Sequence, residues 1–307
     1  MKTLIWFFLT VYSVSFAQSK RTLEPIRGHY ADLQRFSVKS SNSKLDTQHF
    51  LVDKVVKERR LSMKPVFLNE SKEFALPAPP ANTSEQTRKE LNYLLGLQAQ
   101  RTDLDIKVSL HMANVYYNPR TDPSDSNYHL YRKNLFFIGR SIGTWFNPDS
   151  LPKTTELMAK VWRDASYFIW KYKYEFVRVR PYVLDSTIQN LEDTDWPAYP
   201  SGHAANSYIN AYLFSALAPQ FTDIFLKDAY DMAHSREILG VHFPSDSESS
   251  RVLAREFVNA LFDHEDFRKE FAAVKEEWKL NAKESFYVPI IKKALKEPTA
   301  CKTTCKE

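Results

Sequence analysis

Glycine and cysteine are both scarce in this chain. Only 6 of its 307 residues are glycine, which argues against a glycine-rich nucleotide-binding fold and against a β-sandwich with many tight turns. The 2 cysteines, Cys301 and Cys305, lie at the C-terminal end. They could form a small-loop disulfide in an oxidising compartment or remain free thiols. They do not predict a zinc site, because such a site needs about four ligands and no others are near.

Long apolar segments are also rare. Residues 1–17 combine a positive start at Lys2, an apolar run and a small-x-small site at Ser15–Ala17, which together predict a signal peptide. A membrane anchor is the alternative, but the run is short for a bilayer. We therefore expect a secreted protein, periplasmic or extracellular. The segment His203–Thr222 lacks Lys, Arg, Asp and Glu, yet its Asn, Ser, Gln and Pro residues favour a buried helix. No transmembrane segment is expected in the mature chain.

Charge is close to balanced. The net charge is +5, and basic and acidic residues are interspersed, so we expect no nucleic-acid partner. The hydrophobic content of 43% is enough for the core of one good-sized domain. We predict a signal peptide at 1–17, an N-terminal extension at 18–75, a helical domain at 76–285 and a C-terminal tail at 286–307.

The spacing of apolar residues predicts an all-α fold, a helical bundle. The clearest predicted helix is Lys153–Val179, which we expect to end at Pro181. Helical spacing places Lys173 and Arg180 on the same side and points Arg178 elsewhere. Thr83 followed by Gln86 predicts the start of another helix. The predicted helices lie around Gln48–Arg60 and at Ser84–Thr102, Leu104–Tyr117, Asn134–Gly143, Lys153–Val179, Ser201–Leu217, Asp223–Leu239, Pro244–Phe262 and Asp263–Leu280.

Three short blocks carry the chemistry: Lys173–Pro181, Pro200–His203 and Ser235–Asp246. Lys173, Arg180 and Arg236 supply positive charge that could surround the oxygens of a phosphoryl group. Each could instead be an ordinary surface cation.

The second block reads as a loop that enters a helix. Ser201 suits the N-cap position, and Gly202 lets the backbone approach a ligand. The free N–H groups at such a helix end attract an anion. A plain Ser cap with a solvent-facing His203 is the alternative.

The two histidines of the blocks can divide a hydrolytic reaction between them. Asp246 can fix the tautomer of His242, leaving the other ring nitrogen free to attack phosphorus. His203 would then protonate the leaving alkoxide and later activate water. A structural hydrogen bond between His242 and Asp246 is the alternative. The remaining histidines form no ligand set, and no motif predicts a metal. His234 should turn away from the pocket, whereas Glu192 could line its mouth or belong to an ordinary loop.

These blocks resemble the signature of the phosphatidic acid phosphatase type 2 and vanadium haloperoxidase superfamily. Within it, the chain most resembles the secreted bacterial class A non-specific acid phosphatases, over about Leu76–Phe262. The resemblance implies an all-helical fold and hydrolysis of small-molecule phosphate monoesters without a metal or other cofactor. Vanadate is then expected as an inhibitor. The implied roles are His242 as nucleophile, His203 as acid, Asp246 as the residue that orients His242, and phosphate binding by Lys173, Arg180, Ser201, Gly202 and Arg236. Pro197, Ala198 and Pro244 depart from the pattern of that group.

Three alternatives remain open at the level of the sequence. The same pocket could hold vanadate as the cofactor of a haloperoxidase, although such enzymes are generally longer. A lipid phosphate or a pyrophosphate could be the substrate. The chain could also be a non-catalytic helical module that binds phosphate, which the presence of both histidines and Asp246 argues against.

Overall fold

The computed structural model describes residues 44–116 and 123–281, and these residues fold into α-helices joined by loops and short 3₁₀ turns. No β-strand occurs in these two ranges, so the predicted all-α fold is confirmed. The predicted signal peptide, the predicted tail and both cysteines lie outside the described residues. The proposed domain boundaries stay predictions.

The helices follow the predicted order closely. They are α1 (Lys54–Leu61), α2 (Glu85–Gln100), α3 (Asp103–Ala113), α4 (Tyr128–Tyr131), α5 (Pro152–Phe176), α6 (Pro181–Leu184), α7 (Gly202–Leu217), α8 (Thr222–Ile238), α9 (Pro244–Asp263) and α10 (Glu265–Asn281), with 3₁₀ turns at Arg132–Phe136 and Pro219–Phe221.

Helix α7 lies at the centre of the bundle and packs against α5, α8 and α9. Of its 16 residues, 11 are buried, which explains why the sequence contains no charged residue there. The buried amide of Asn210 is satisfied, because its oxygen accepts from Trp162 Nε1 (2.8 Å) and its nitrogen donates to the Leu135 carbonyl (3.1 Å). A buried polar group without such partners would destabilise the fold. Within the described residues, no helix is long and apolar enough to cross a membrane.

Helix α5 packs against α7, and each of its ends has an identifiable cause. Pro152 occupies the first turn, where a missing N–H has no consequence. The carboxylate of Glu277, from α10, accepts from the backbone N–H groups of Lys153 (2.8 Å) and Thr154 (2.9 Å). A carboxylate at a helix N-terminus also interacts favourably with the helix dipole. At the other end, Val177 adopts a left-handed conformation with φ of 44°.

Two sequence predictions about the course of the chain are wrong. Helix α5 ends at Phe176 and does not continue to Val179, because the left-handed Val177 breaks it, and Pro181 begins α6 rather than ending α5. The predicted helix Asn134–Gly143 is a 3₁₀ turn followed by loops. Gly139 explains the second error, since its φ is 92° and an added Cβ would lie 2.5 Å from the Phe225 ring.

Residues before α2 are attached to the bundle by specific bonds. Helix α1 begins later than predicted, where the Asp53 side chain accepts from the Val56 N–H (3.0 Å). The N-cap of α2 is Ser84, not Thr83, and the Thr83 hydroxyl bonds the carboxylate of Asp46 (2.8 Å). The Phe50 N–H donates to the Val177 carbonyl (2.8 Å), beside the end of α5.

Gly240 follows α8, and its backbone conformation gives a test of how that helix ends. Its φ is +71°, and an added Cβ would lie 2.7 Å from the Gln189 carbonyl oxygen. We expect Gly240→Ala to lower the free energy of unfolding by about 1–3 kcal/mol, measured by urea denaturation. In the matched control, Gly96→Ala in the interior of α2, the new methyl group has nothing within 4 Å and should stabilise the protein by about 0.5–1 kcal/mol. A Gly240→Ala protein as stable as wild type would contradict the left-handed turn.

Candidate active site

The three sequence blocks meet at one cavity of about 440 Å³. Ser201 and Asp246 lie directly behind its wall, where the Ser201 N–H donates to the Asp246 carbonyl (3.3 Å). The other six predicted site residues line it: Lys173, Arg180, Gly202, His203, Arg236 and His242.

The three cations that the sequence predicted for the site are buried, which excludes their being ordinary surface residues. Lys173, Arg180 and Arg236 are each at most 2% exposed. Burial, and next the charge of Arg180, lower the pKa of Lys173 well below its usual value. Burial likewise lowers the pKa of Arg180 to about 10. The protein therefore stores unfavourable positive charge here, which an anion would stabilise.

Backbone carbonyls before the second block hold two of these cations. Lys173, in the last turn of α5, donates to the carbonyls of Pro197 (2.8 Å) and Ala198 (3.1 Å). Arg180 donates to the carbonyls of Trp196 (3.1 Å) and Pro197 (3.3 Å). Pro197 and Ala198, which the sequence marked as departures, thus supply acceptors that orient the phosphate-binding candidates.

The structure brings Arg180 to the cavity by a different route from the predicted one. Because α5 ends at Phe176, Lys173 and Arg180 do not share a helical face. After Val177 the chain runs extended, and Arg180 reaches across to donate to the Val241 carbonyl (2.7 Å), next to His242. The left-handed Val177, costly for a β-branched residue, is what turns the chain into this path.

Arg178 belongs to the site, which corrects the prediction that it points elsewhere. It is 4% exposed and donates to Asp246 Oδ1 (2.6 Å) and Ser245 Oγ (2.8 Å). It also pairs with Glu90 of α2 (3.4 Å) and lies over the Phe243 ring (3.9 Å). An extended reading of residues 178–180 would have found it, since alternate residues of an extended segment share a side.

His242 is held in one tautomer. Its Nδ1 lies 3.0 Å from Asp246 Oδ2, and the same oxygen accepts from the Phe243 N–H (3.0 Å). Burial would raise the pKa of Asp246, but Arg178 and then His242 hold that pKa below its usual range. The ionised carboxylate therefore takes the hydrogen bond from Nδ1–H, and the lone pair lies on Nε2. Nε2 is 3.0 Å from an Arg180 guanidinium nitrogen.

Burial, followed by Arg180, lowers the pKa of His242 well below its usual value, although Asp246 acts in the opposite direction. At neutral pH the ring is neutral, which is the form with a nucleophilic nitrogen.

His203 stands in a different environment, at the start of α7. Ser201 is the N-cap residue, as predicted, and its hydroxyl accepts from the Ala204 N–H (3.4 Å). His203 Nε2 lies 2.8 Å from the Ala113 carbonyl oxygen, so that nitrogen carries the hydrogen in the neutral ring. Burial, followed by Arg236, lowers the pKa of His203. An added Cβ at Gly202 would meet Ile169 at an ordinary 3.6 Å, so the surrounding protein does not require glycine there.

Arg236 completes the set and is the least satisfied of the cations. It pairs with Glu192, which the sequence placed near the mouth of the pocket. Its Nε and one terminal nitrogen have no hydrogen-bond partner among the described residues. Buried donors of this kind are rare in folded proteins and call for an explanation, such as a bound anion. His234 contacts Glu237 and does not line the cavity, as predicted.

Comparison with known proteins assigns the region that contains the site. Residues 163–265, which span all three blocks, match the PAP2 superfamily. The chain is 29% identical over 133 residues to a non-specific acid phosphatase of Providencia stuartii, a match covering 41% of this chain and 54% of the relative. It is 28% identical over 142 residues to a non-specific acid phosphatase of Salmonella typhi, covering 44% and 57%. The chain thus spans about half the length of the curated relatives it matches.

The fold of the chain is similar to that of a solved structure. A bacterial vanadium-dependent iodoperoxidase matches with a TM-score of 0.52 and 16% identity, covering 77% of this chain and 64% of the other. Among residues 44–116 and 123–281, no group of three His, Cys, Asp or Glu side chains could hold a metal ion.

Arg178 should be more important to the stability of the helical bundle than an exposed cation. Arg178→Met leaves Asp246 without its close cationic partner in the interior, so we expect unfolding to become easier by about 3–5 kcal/mol. Lys269→Met is the matched control, because Lys269 and its partner Glu265 are 66% and 72% exposed, and it should leave stability nearly unchanged. Urea denaturation of both variants tests this. If the Arg178→Met and Lys269→Met proteins were equally stable, the buried Asp246 carboxylate would not need Arg178 as its partner, which would contradict this prediction.

Proposed function

We propose that this protein is a secreted phosphatase that hydrolyses phosphate monoesters through a phosphohistidine on His242, without a metal. The observation that carries the proposal is His242, which lines the cavity beside three buried cations and is held from behind by Asp246. The match of residues 163–265 to the PAP2 superfamily and the similarity to acid phosphatases support it.

Binding of the phosphoryl group is assigned to the cations and to the start of α7. Lys173, Arg180 and Arg236 would surround the equatorial oxygens, where negative charge spreads in the transition state. The unpartnered nitrogens of Arg236 supply donors that need not be taken from other bonds. The backbone at Gly202 would approach the phosphate closely, because no side chain intervenes. Arg180 would exchange its contact with His242 for one with a phosphate oxygen.

The first chemical step forms a bond between His242 Nε2 and phosphorus while the ester P–O bond breaks. The electron pair of that bond leaves on the alcohol oxygen, which takes a proton from His203. Asp246 stabilises the positive charge that develops on the His242 ring. In the second step a water molecule gives a proton to His203 and attacks phosphorus, the P–N bond breaks, and phosphate departs.

Removal of the nucleophile tests this mechanism. We expect His242→Ala to lower kcat for 4-nitrophenyl phosphate by roughly 10⁴-fold or more while circular dichroism shows the fold retained. His234→Ala is the control and should keep kcat within a few-fold of wild type, because His234 lies outside the cavity. Vanadate should compete with substrate, and EDTA should have no effect on wild type. Activity that survives His242→Ala, or that requires an added divalent metal, would contradict the proposal.

The lowered pKa of His203 predicts the pH dependence of the reaction. Burial lowers the pKa of His203, so at neutral pH its ring is neutral, with the hydrogen on Nε2 and none on Nδ1. The proton that His203 gives to the leaving oxygen would therefore come from the substrate monoanion, which passes it to Nδ1 and becomes a dianion. Phosphate monoesters lose that proton near pH ~6. We expect kcat/KM to fall as pH rises through the second pKa of the substrate.

Two substrates show whether the fall of kcat/KM at high pH follows the ionisation of the substrate or that of an enzyme group. An aryl phosphate has a lower second pKa than an alkyl phosphate, so the alkaline limb of its kcat/KM profile should lie at lower pH. Coincident limbs for both substrates would assign the limb to an enzyme group and refute the prediction.

A further inference from the structure

The mouth of the cavity contains positive charge beyond what a single phosphoryl group needs. Among the described residues that line the cavity, Lys173, Arg180 and Arg236 lie deep and Arg59, Arg60 and Arg163 lie in its outer part; none of the lining residues is Asp or Glu. Glu192 lies behind Arg236 and offsets one of the deep charges. The remaining two positive charges match a phosphoryl dianion, so the outer arginines are not required to neutralise it.

Helix α1 places two of these outer arginines at the cavity. The Arg60 guanidinium lies over the Trp170 ring (3.9 Å) and near the Trp196 ring (5.2 Å), contacts that fix α1 against the mouth. The backbone bond from Phe50 to Val177 (2.8 Å) ties the preceding segment to the end of α5. The side of the mouth formed by α1 is therefore attached to the end of α5, which also positions Lys173 and Arg178.

The outer arginines differ in how available their charge is. Arg60 is half-buried, and the negative charge of Asp195 partly offsets its positive charge. Its main role is therefore to hold α1 in place. Arg59 is exposed and lines the cavity. Arg163 lies across the mouth on α5, where it lines the cavity and its Nε donates to the Lys64 carbonyl (2.8 Å). Arg59 thus presents charge to whatever projects outward from the phosphoryl position, and Arg163 borders the same space from the opposite side.

The size of the cavity is consistent with a second bound group. A volume of about 440 Å³ is that of a site for a small organic molecule and is much larger than a phosphate ion. The alcohol part of a substrate therefore fits inside the mouth, with Trp170 and Trp196 beside it and the outer arginines around it.

We propose that Arg59 and Arg163, with α1 anchored by Arg60, form a second anion subsite at the mouth. The preferred substrates are phosphate esters whose alcohol carries another anionic group, such as a second phosphate. This inference rests on the proposed function. Because the charges are partly exposed, their attraction acts mainly on binding and decreases with ionic strength.

Two substrates that share the same sugar and differ by one phosphate test the subsite: fructose 6-phosphate and fructose 1,6-bisphosphate. We expect wild type to show a kcat/KM at least about fivefold higher for the bisphosphate, with the ratio decreasing as NaCl is added. Arg59→Glu should reduce that ratio about tenfold, through KM rather than kcat. Arg163→Gln, which retains a long side chain, should reduce it about threefold. Arg88→Gln, an exposed site on α2 outside the cavity, is the control and should leave the ratio unchanged.

The outcomes separate this proposal from the one it rests on. A wild-type protein that hydrolyses both sugars and 4-nitrophenyl phosphate without preferring the bisphosphate overturns the subsite and leaves the phosphatase intact. Equal losses on both sugars in Arg59→Glu also overturn it, because they indicate a general effect on the site. A wild-type protein that hydrolyses none of these esters refutes the phosphatase itself.

Discussion

Three buried cations, Lys173, Arg180 and Arg236, share the inner part of one cavity, and their mutual repulsion has to be offset within the protein. Lys173 and Arg180 are offset by the backbone carbonyls of residues 196–198 and 241, and Arg236 by Glu192. These partners are too few to satisfy every nitrogen, as the unpartnered donors of Arg236 show. A bound oxyanion would supply the missing acceptors and the missing negative charge together. Burial of positive charge is thus the constraint from which the phosphate-binding role follows.

The protonation states of His203 and His242 depend on this buried positive charge. Both have lowered pKa values, because burial and nearby cations disfavour the imidazolium form. Their backbone and carboxylate partners then give them different roles. Asp246 holds Nδ1–H of His242 and leaves the lone pair on Nε2, whereas the Ala113 carbonyl holds Nε2–H of His203. Arg178 keeps Asp246 ionised, and Glu90 links this group to α2, so a residue far from the cavity wall supports the nucleophile.

Most of the helices, and the residues of the three blocks that meet at the cavity, could be predicted from the sequence, because apolar spacing and short blocks are local signals. Two of the errors, at the end of α5 and at Arg178, share one physical origin. Val177 takes a left-handed conformation that helical periodicity does not reveal, so the true end of α5 was missed and Arg178 was placed outside the site. Arg59 was missed for another reason: α1 joins the mouth through Arg60 and Trp170, residues 110 positions apart in the chain, and no local pattern indicates such a contact. Pairings of this kind depend on tertiary packing alone.

Detection of the covalent intermediate tests the central claim most directly. Wild-type protein would be mixed with a phosphate monoester, quenched in alkali within milliseconds, digested and analysed by mass spectrometry. The account predicts a phosphoryl group on the ring of His242, absent from the Asp246→Asn protein or formed much more slowly there. A phosphoryl group on another residue would contradict it. So would single-turnover release of phosphate with no labelled intermediate at any time.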